Sequence, residues 1–109
     1  MIEIRRYVTR AGKDVIGEWL ASLKDVRARA QIAVRIARVA VGNFGDSKRL
    51  SQDLYELRIN CGPGYRAYYA MLDGTCVLLL CGGDKRKQSV DIERALKYLK
   101  DYRERIGTE

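Results

Sequence analysis

Five cationic side chains in the second half of the chain are the residues best suited to chemistry: Arg58, Arg66, Lys85, Arg86 and Lys87. A planar guanidinium group can grip two phosphate oxygens at once, and an ammonium group adds positive charge. Because like charges held together oppose folding, such a cluster makes most sense where an anionic ligand neutralises it. These residue types therefore indicate recognition of a phosphate-bearing ligand, provided that the fold brings them to one cleft.

Each of these residues also has a simpler interpretation when it is taken alone. Arg58 would pair with a neighbouring carboxylate such as Glu56, and the 85–87 run would be a solvated loop. The tyrosines at 65–69 would be ordinary sheet aromatics more often than platforms for nucleic-acid bases. Only the combination of cations favours a functional interpretation.

The composition narrows the class of protein. The chain has 109 residues, 47% of them hydrophobic, which predicts one domain over 1–109 with a real core. Its 21 Lys+Arg against 14 Asp+Glu leave a net charge of +7, which suits a polyanionic partner. There is no histidine, so mechanisms that need a histidine base or a histidine-ligated metal are excluded. We expect neither a metal nor a small-molecule cofactor.

The cysteines and the N-terminus bear on the compartment. The chain has three cysteines, Cys61, Cys76 and Cys81, which is an odd number and includes no CxxC spacing. We therefore expect free thiols, and a zinc site or a disulfide is the less favoured alternative. Residues 1–6 already include three charged side chains and show no apolar segment typical of a signal peptide. No apolar run approaches the roughly 20 residues of a membrane helix. We therefore expect a cytoplasmic protein without membrane contact.

Periodicity in the first half predicts a strand and two helices. Residues 2–8 are rich in β-branched and aromatic side chains, which favours a strand. Apolar residues from Val15 to Leu23 recur at helical spacing, with Thr9 or Asp14 as the cap. A longer, alanine-rich helix follows from Val26 and should stop at Gly42–Asn43. The arginines of this second helix are expected on its solvated face.

The second half changes to a period of two. After a loop at 43–53, strands are predicted at 54–59, 65–72 and 75–81, joined by tight turns. Tyr55, Leu57 and Ile59 share one face of the first of these strands, whereas Glu56 and Arg58 share the other. Residues 82–87 are expected to form a flexible basic loop before a last helix that starts near Gln88 or Ser89.

The predicted fold class is therefore α+β, in the order β-α-α-β-β-β-α. The helical hairpin should pack on one face of a mainly antiparallel four-stranded sheet, with a C-terminal helix at the end. If the 61–64 turn closes a hairpin, Arg58 and Arg66 point together to the opposite, partly open face. The basic loop would then close a cleft around five cations.

Several segments of the second half resemble the RelE/HigB superfamily of bacterial toxins. They are LYELRI at 54–59, GPGYRAYY at 62–69, LLCGGDKRKQS at 79–89 and DIERA at 91–95. The closest branch is the phage-derived Gp49-like, HigB-like addiction module killer proteins. The resemblance implies a RelE-like fold and the toxin of a type II toxin–antitoxin pair. It also implies a metal-independent endonuclease that cuts mRNA in the ribosomal A site and leaves 2′,3′-cyclic phosphate ends.

The resemblance assigns roles to individual residues. Arg66 would grip the scissile phosphate, Arg86 would stabilise the transition state, and Arg58 would supply charge, with Lys85 for proton transfer or phosphate contact. Lys87 would contact RNA, as would the three further candidates Tyr68, Glu56 and Asp91. The transition state gathers negative charge, which preorganised cations stabilise.

The chain departs from the family near the start of the last helix. Residues 89–92 hold no tyrosine or histidine where the family often has one, and Glu56 stands where some members have a lysine. The general base therefore stays open among Glu56, Asp91, a lysine and Tyr68. A helix-turn-helix, HigA-like antitoxin is the implied partner. The alternatives are a ParE-like toxin directed at gyrase and a catalytically impaired module that binds only RNA or the antitoxin.

Overall fold

The structure, a computed structural model, describes residues 1–107 and contains three helices and five strands over this range. In chain order, the elements are β1 (Glu3–Arg6), α1 (Val15–Ser22), α2 (Val26–Ala40), β2 (Ser47–Arg49), β3 (Leu54–Ile59), β4 (Tyr65–Leu72), β5 (Cys76–Asp84), a single 3₁₀ turn (Lys85–Lys87) and α3 (Gln88–Gly107).

The five strands form one sheet in the order β1-β5-β4-β3-β2. Only β1 runs parallel to its neighbour β5; the other three pairings are antiparallel. The α+β class with a mainly antiparallel sheet is confirmed, but the sheet has one strand more than predicted. The extra strand, β2, lies inside the expected 43–53 loop and pairs with β3 at the sheet edge. A short, charged edge strand buries no alternating apolar face, so its sequence resembles a loop.

Helices α1 and α2 cover one face of the sheet, as predicted. Each begins at an aspartate: Asp14 accepts a hydrogen bond from the Gly17 backbone N–H at 3.2 Å, and Asp25 accepts two from the first turn of α2. The buried residues beneath these helices include the odd-numbered strand positions Leu57, Ile59, Ala67, Tyr69, Val77 and Leu79. This alternation places the even-numbered positions on the opposite face.

One arginine of α2 does not lie on the solvated face predicted for it. Arg35 is half-buried and donates to the backbone carbonyls of Phe44, at 3.0 Å, of Asp46, at 3.2 Å, and of Arg58. It therefore ties α2 to the segment before β2 and to the end of β3. A carbonyl-rich turn beside a helix supplies acceptors that helical periodicity alone does not reveal.

The second face of the sheet is covered by α3, so the expected partly open face is wrong at its centre. Ala95 and Leu99 of α3 pack against a buried layer that includes Leu54, Tyr68, Ala70, Leu78 and Leu80. Glu56 and Tyr68 are each 0% exposed beneath it. Apolar Leu96 lies on the outer side of α3 and is exposed.

The predicted flexible loop at 82–87 is also corrected. Gly82, Gly83 and Asp84 continue β5, and Asp84 caps the following 3₁₀ turn by accepting the Arg86 backbone N–H at 2.9 Å. A Cβ on Gly82 would lie 2.2 Å from the Trp19 ring, and one on Gly83 would lie 1.9 Å from Asp91 Oδ2. Helices thus press on both faces of this strand, and only glycine leaves them room.

All three cysteines are free thiols in the structure, with Cys76 and Cys81 buried and Cys61 half-buried. Burial raises the pKa of the Cys81 thiol to about 12, and it also raises the pKa of Cys76. They pack as small apolar residues, as expected. None of the helices within residues 1–107 has the length and apolarity needed to cross a membrane.

Candidate active site

Arg58 of β3 and Arg66 of β4 are direct cross-strand partners, so both side chains lie on the α3 face of the sheet. The predicted pairing of these two residues is confirmed. The side chain of Arg58 is 33% exposed and that of Arg66 is 12% exposed. They lie at the edge of this face, in the part that α3 does not cover.

Glu56 lies beneath both arginines. Its Oε1 accepts a hydrogen bond from Arg58 Nε at 2.9 Å and lies 3.7 Å from Arg66 Nε. The hydrogen bond with Glu56 raises the pKa of Arg58, which keeps the guanidinium charged. The simple interpretation of Arg58, pairing with Glu56, is therefore what the structure shows. It does not remove Arg58 from the site, because among residues 1–107 its Nε is the only atom of the guanidinium that makes a hydrogen bond.

The other oxygen of Glu56 connects the strands to α3. Gln88, the first residue of α3, donates its Nε2–H to Glu56 Oε2 at 2.6 Å. Both carboxylate oxygens of a fully buried glutamate are thus engaged. No local pattern marks Gln88 as a residue of the site, because its partner lies 32 residues earlier in the chain.

Tyr68 and Asp91 are buried behind the arginines. Asp91 is 3% exposed and binds Arg94 Nη1 through Oδ1 at 3.0 Å, while its Oδ2 has no hydrogen bond within the described chain. The Tyr68 hydroxyl also lacks a partner there, and burial followed by the charges of Glu56 and Asp91 raises the pKa of this phenol. Tyr68 and Glu56 present no surface to a ligand in this conformation, whereas Asp91 lines a groove beside Arg94.

Lys85 lies beside Arg66. A methyl group built on Gly64 would lie 3.5 Å from Lys85 Cβ and 3.6 Å from Arg66 Nη1, so both side chains flank the same glycine. The Lys85 backbone N–H also donates to the Gly64 carbonyl at 2.9 Å. The exposed Lys85 ammonium therefore belongs to the same edge as the strand arginines.

Arg86 is held by Asp84 through two contacts to its side chain, Nε to Oδ1 at 3.3 Å and Nη2 to Oδ2 at 2.9 Å. The Arg86 guanidinium keeps the pKa of Asp84 below its ordinary value. The arginine side chain is 79% exposed, so a ligand could reach it directly. Arg86 and Lys87 border a groove of about 240 Å³ that runs between Trp19 and Arg94 over Gly83.

The charge balance of the site differs from the predicted one. Each of the three predicted arginines has a carboxylate partner, so mutual repulsion alone does not demand a ligand. Six cations and three carboxylates nevertheless lie in two neighbouring groups, with Arg58, Arg66 and Lys85 around Glu56 at the end of the sheet, and Arg86, Lys87 and Arg94 with Asp84 and Asp91 along the groove. Within residues 1–107, Lys85 and Lys87 form no ion pair, so the region keeps an excess of positive charge.

Sequence reasoning missed three contributors besides Gln88. Asp84 carried a signal, because an aspartate directly before a short basic run is a natural cap. Trp19 and Arg94 had none, because only the packing of α1 and α3 brings them to the groove. Among residues 1–107, no three Cys, Asp or Glu side chains converge on a point that could hold a metal ion.

The family model described as "Phage derived protein Gp49-like (DUF891)" matches residues 18–100. This chain belongs to the phage-derived Gp49-like family. An uncharacterized protein of Haemophilus influenzae is 51% identical to the Gp49-like chain over 77 residues, covering 71% of this chain and 78% of the relative.

A solved structure agrees with the fold of the Gp49-like chain. The structure of an E. coli toxin RelE mutant in the free state, with two arginines replaced by alanine, superposes with a TM-score of 0.64 at 17% identity. The match covers 88% of this chain and 95% of RelE. The RelE-like fold that the resemblance implies is thereby confirmed, and the match of the family model confirms the Gp49-like branch.

Proposed function

We propose that this Gp49-like chain is the toxin of a type II toxin–antitoxin pair and cuts ribosome-bound mRNA without a metal. The observation that carries the proposal is the cross-strand pair Arg58–Arg66, set beside Lys85 at the exposed end of the sheet. A cationic edge of this kind suits the charge of a phosphorane transition state. The RelE fold match, to a protein described as a toxin, supports the same class.

In the proposed reaction, the ribose 2′-hydroxyl loses its proton and its oxygen bonds to the adjacent phosphorus. The bond from phosphorus to the 5′-oxygen breaks, and that oxygen takes up a proton. The products are a 2′,3′-cyclic phosphate and a 5′-hydroxyl. Arg66 binds the scissile phosphate, and Arg58 adds positive charge beside it. The Arg86 guanidinium leaves Asp84 and binds the phosphate oxygens on which negative charge develops in the transition state.

The geometry favours Lys85 as the group that moves protons. Both oxygens of Glu56 are engaged, and Asp91 and Tyr68 lie below the surface. Lys85 is exposed and shares Gly64 with Arg66, so it can exchange protons with a bound ribose-phosphate chain. Lys87 on the same turn would hold the RNA backbone. Glu56 and Tyr68 then act from beneath the cations and do not touch RNA, whereas Asp91 acts from the wall of the groove.

A catalytically impaired module that binds RNA or an antitoxin is the second candidate. The favouring observation is that Arg58, Arg66 and Arg86 already have carboxylate partners, so these three arginines do not need a substrate to neutralise them. In both cases we propose a helix-turn-helix, HigA-like antitoxin as partner and the cytoplasm, where ribosomes are, as the compartment.

The test is induced expression in bacteria, with transcript ends mapped for new 5′-hydroxyl and cyclic phosphate termini. We expect wild type to arrest growth and cut transcripts, and Arg66→Ala with Arg86→Ala to do neither. The matched control removes two exposed arginines of α2, Arg27→Ala with Arg29→Ala, and should behave as wild type. Arrest with intact transcripts would refute the nuclease, and a supercoiling assay would then test the gyrase alternative.

A further inference from the structure

We propose that Glu56 is a positioning residue that orients Arg58 and Arg66 toward an RNA phosphate. Gln88 holds Glu56 in place, and these four residues together are called the Glu56 latch. The inference rests on the proposed function and deepens it, because it gives a role to an acidic side chain inside a site for an anion. A buried carboxylate there would otherwise only repel the substrate.

The atoms that contact Glu56 carry the first part of the argument. Arg58 donates its Nε–H to Oε1 at 2.9 Å, whereas Arg66 Nε lies 3.7 Å from the same oxygen as an ion pair without a hydrogen bond. In residues 1–107, the terminal nitrogens of Arg58 have no hydrogen-bond partner, and those of Arg66 make one contact, from Nη1 to the Tyr65 carbonyl at 3.3 Å. Glu56 therefore contacts each guanidinium on its Nε side and leaves the Nη1 and Nη2 groups available to donate to a phosphate.

The second part concerns how firmly Glu56 is held. The side chain is 0% exposed, and its Oε2 accepts the Gln88 amide at 2.6 Å. Two engaged oxygens fix the plane of the carboxylate, which in turn fixes the direction of the Arg58 Nε–H bond and the place of the negative charge beside Arg66. Gln88 directly follows the 85–87 turn, so the Glu56 latch also sets the position of this basic turn relative to the strands.

The first experiment is single-turnover cleavage of an oligoribonucleotide, programmed on ribosomes, by wild type and Glu56→Gln. The glutamine keeps the shape and loses the charge, so the ion pairs with both arginines are lost and the hydrogen bond from Arg58 is weakened. We expect the rate at saturating protein to fall about 10- to 100-fold, the scale expected when a catalytic group is misplaced by about 1 Å. RNA affinity should change much less than the rate. Equal rates, or a loss confined to affinity, would overturn the proposal.

The matched control is Asp53→Asn, which also neutralises one carboxylate paired with an arginine. Asp53 contacts Arg103 at 3.1 Å, near the C-terminal end of α3, whereas Gln88 of the Glu56 latch is the first residue of that helix, and no contact joins Asp53 to the arginines of the latch within residues 1–107. It should leave the cleavage rate unchanged. Thermal unfolding of both variants separates a misplaced arginine from a chain that fails to fold.

A second variant keeps the proposal testable if Glu56→Gln does not fold. Gln88→Glu places a second carboxyl group at a contact of 2.6 Å, where both cannot be ionised together. At low pH one proton is shared between the two carboxyl groups, so the contact between residues 56 and 88 persists. When this proton is lost at higher pH, the two carboxylates repel each other and the contact breaks. Cleavage by Gln88→Glu should therefore decline with rising pH, relative to the uncharged Gln88→Met. Parallel pH profiles for the two variants would overturn the proposal.

Nuclear magnetic resonance separates failure of the Glu56 latch from failure of the proposed function. The hydrogen-bonded Arg58 Nε–H should exchange slowly with water in wild type and faster in Glu56→Gln. Equal exchange would overturn the Glu56 latch whatever the activity. A wild type that shows the slow exchange but cuts no RNA would instead refute the nuclease function, and the positioning role in cleavage with it.

Discussion

Arg58 and Arg66 face each other across the β3–β4 ladder, and one fully buried carboxylate, that of Glu56, lies within 4 Å of the Nε of both. Two guanidinium groups on directly opposed positions would repel each other without it. The same contact leaves terminal nitrogens available on each arginine. A charge-compensated pair can thus still present donors to a phosphate.

Arg66 should not be replaceable by lysine. Lysine keeps the charge but has neither an Nε–H for Glu56 nor a planar fork for phosphate. We expect Arg66→Ala to lower the cleavage rate about 10²- to 10³-fold, the usual scale for one lost oxyanion donor, and Arg66→Lys to recover only part of that loss. Single-turnover rates measure this, with Arg103→Lys as the control. Full activity of Arg66→Lys would show that charge alone is sufficient.

Lys87 should contribute charge to RNA binding without contributing to chemistry. It is exposed on the turn and forms no ion pair within the described chain. If it neutralises one phosphate of a single strand, Lys87→Ala should reduce the slope of log affinity against log salt by about 0.7. A filter-binding titration at several salt concentrations measures the slope. An unchanged slope would place the RNA away from this turn.

Gly82 and Gly83 should tolerate no side chain. Alanine at these positions would press on the Trp19 ring and on Asp91 Oδ2, so we expect a loss of unfolding free energy of about 1–3 kcal/mol for each. Gly107→Ala is the control, because a Cβ there meets nothing within 4 Å. Urea denaturation measures the difference. Wild-type stability of Gly83→Ala would mean that Asp91 does not pack on β5 as described.

The thiols should differ in reactivity. Cys61 is half-buried, whereas Cys76 and Cys81 are buried and have raised pKa values, about 12 for Cys81. A thiol reagent at pH 8 should therefore modify Cys61 first in the native chain and all three after denaturation. Mass spectrometry of the labelled peptides identifies the order. Early labelling of Cys81 would contradict the packing of α3 on the sheet.

The Tyr7–Asp101 hydrogen bond, at 2.6 Å, should make stability fall at both pH extremes. Tyr7, together with Arg10 and Arg105, lowers the pKa of Asp101, so its contribution is present above pH 4 and lost as pH falls further. Burial and Asp101 raise the pKa of Tyr7 from 10.0 to about 12, so that contribution is lost as pH rises across this range. Tyr7→Phe should flatten the alkaline decline and lessen the acid one. Thermal melts across pH measure both.

Much of the site's local arrangement was readable from the chain. Alternation over 54–59, with the turn at 61–64, was enough to place Arg58 and Arg66 on one face, because a strand has a period of two. The α+β order followed from the same patterns. The roles of Arg58, Arg66, Lys85, Arg86 and Lys87 in cleavage stay predictions, as does the proposed partner.

What the sequence by itself determined was therefore the set of cations, their strand positions and the family. Only the tertiary structure decided that α3 buries Glu56, that Gln88 reaches it, and that Asp84 holds Arg86. The physical reason lies in the range of the interactions. Strand periodicity is a local property, whereas the burial of a carboxylate and the identity of its partners depend on contacts between residues far apart in the chain.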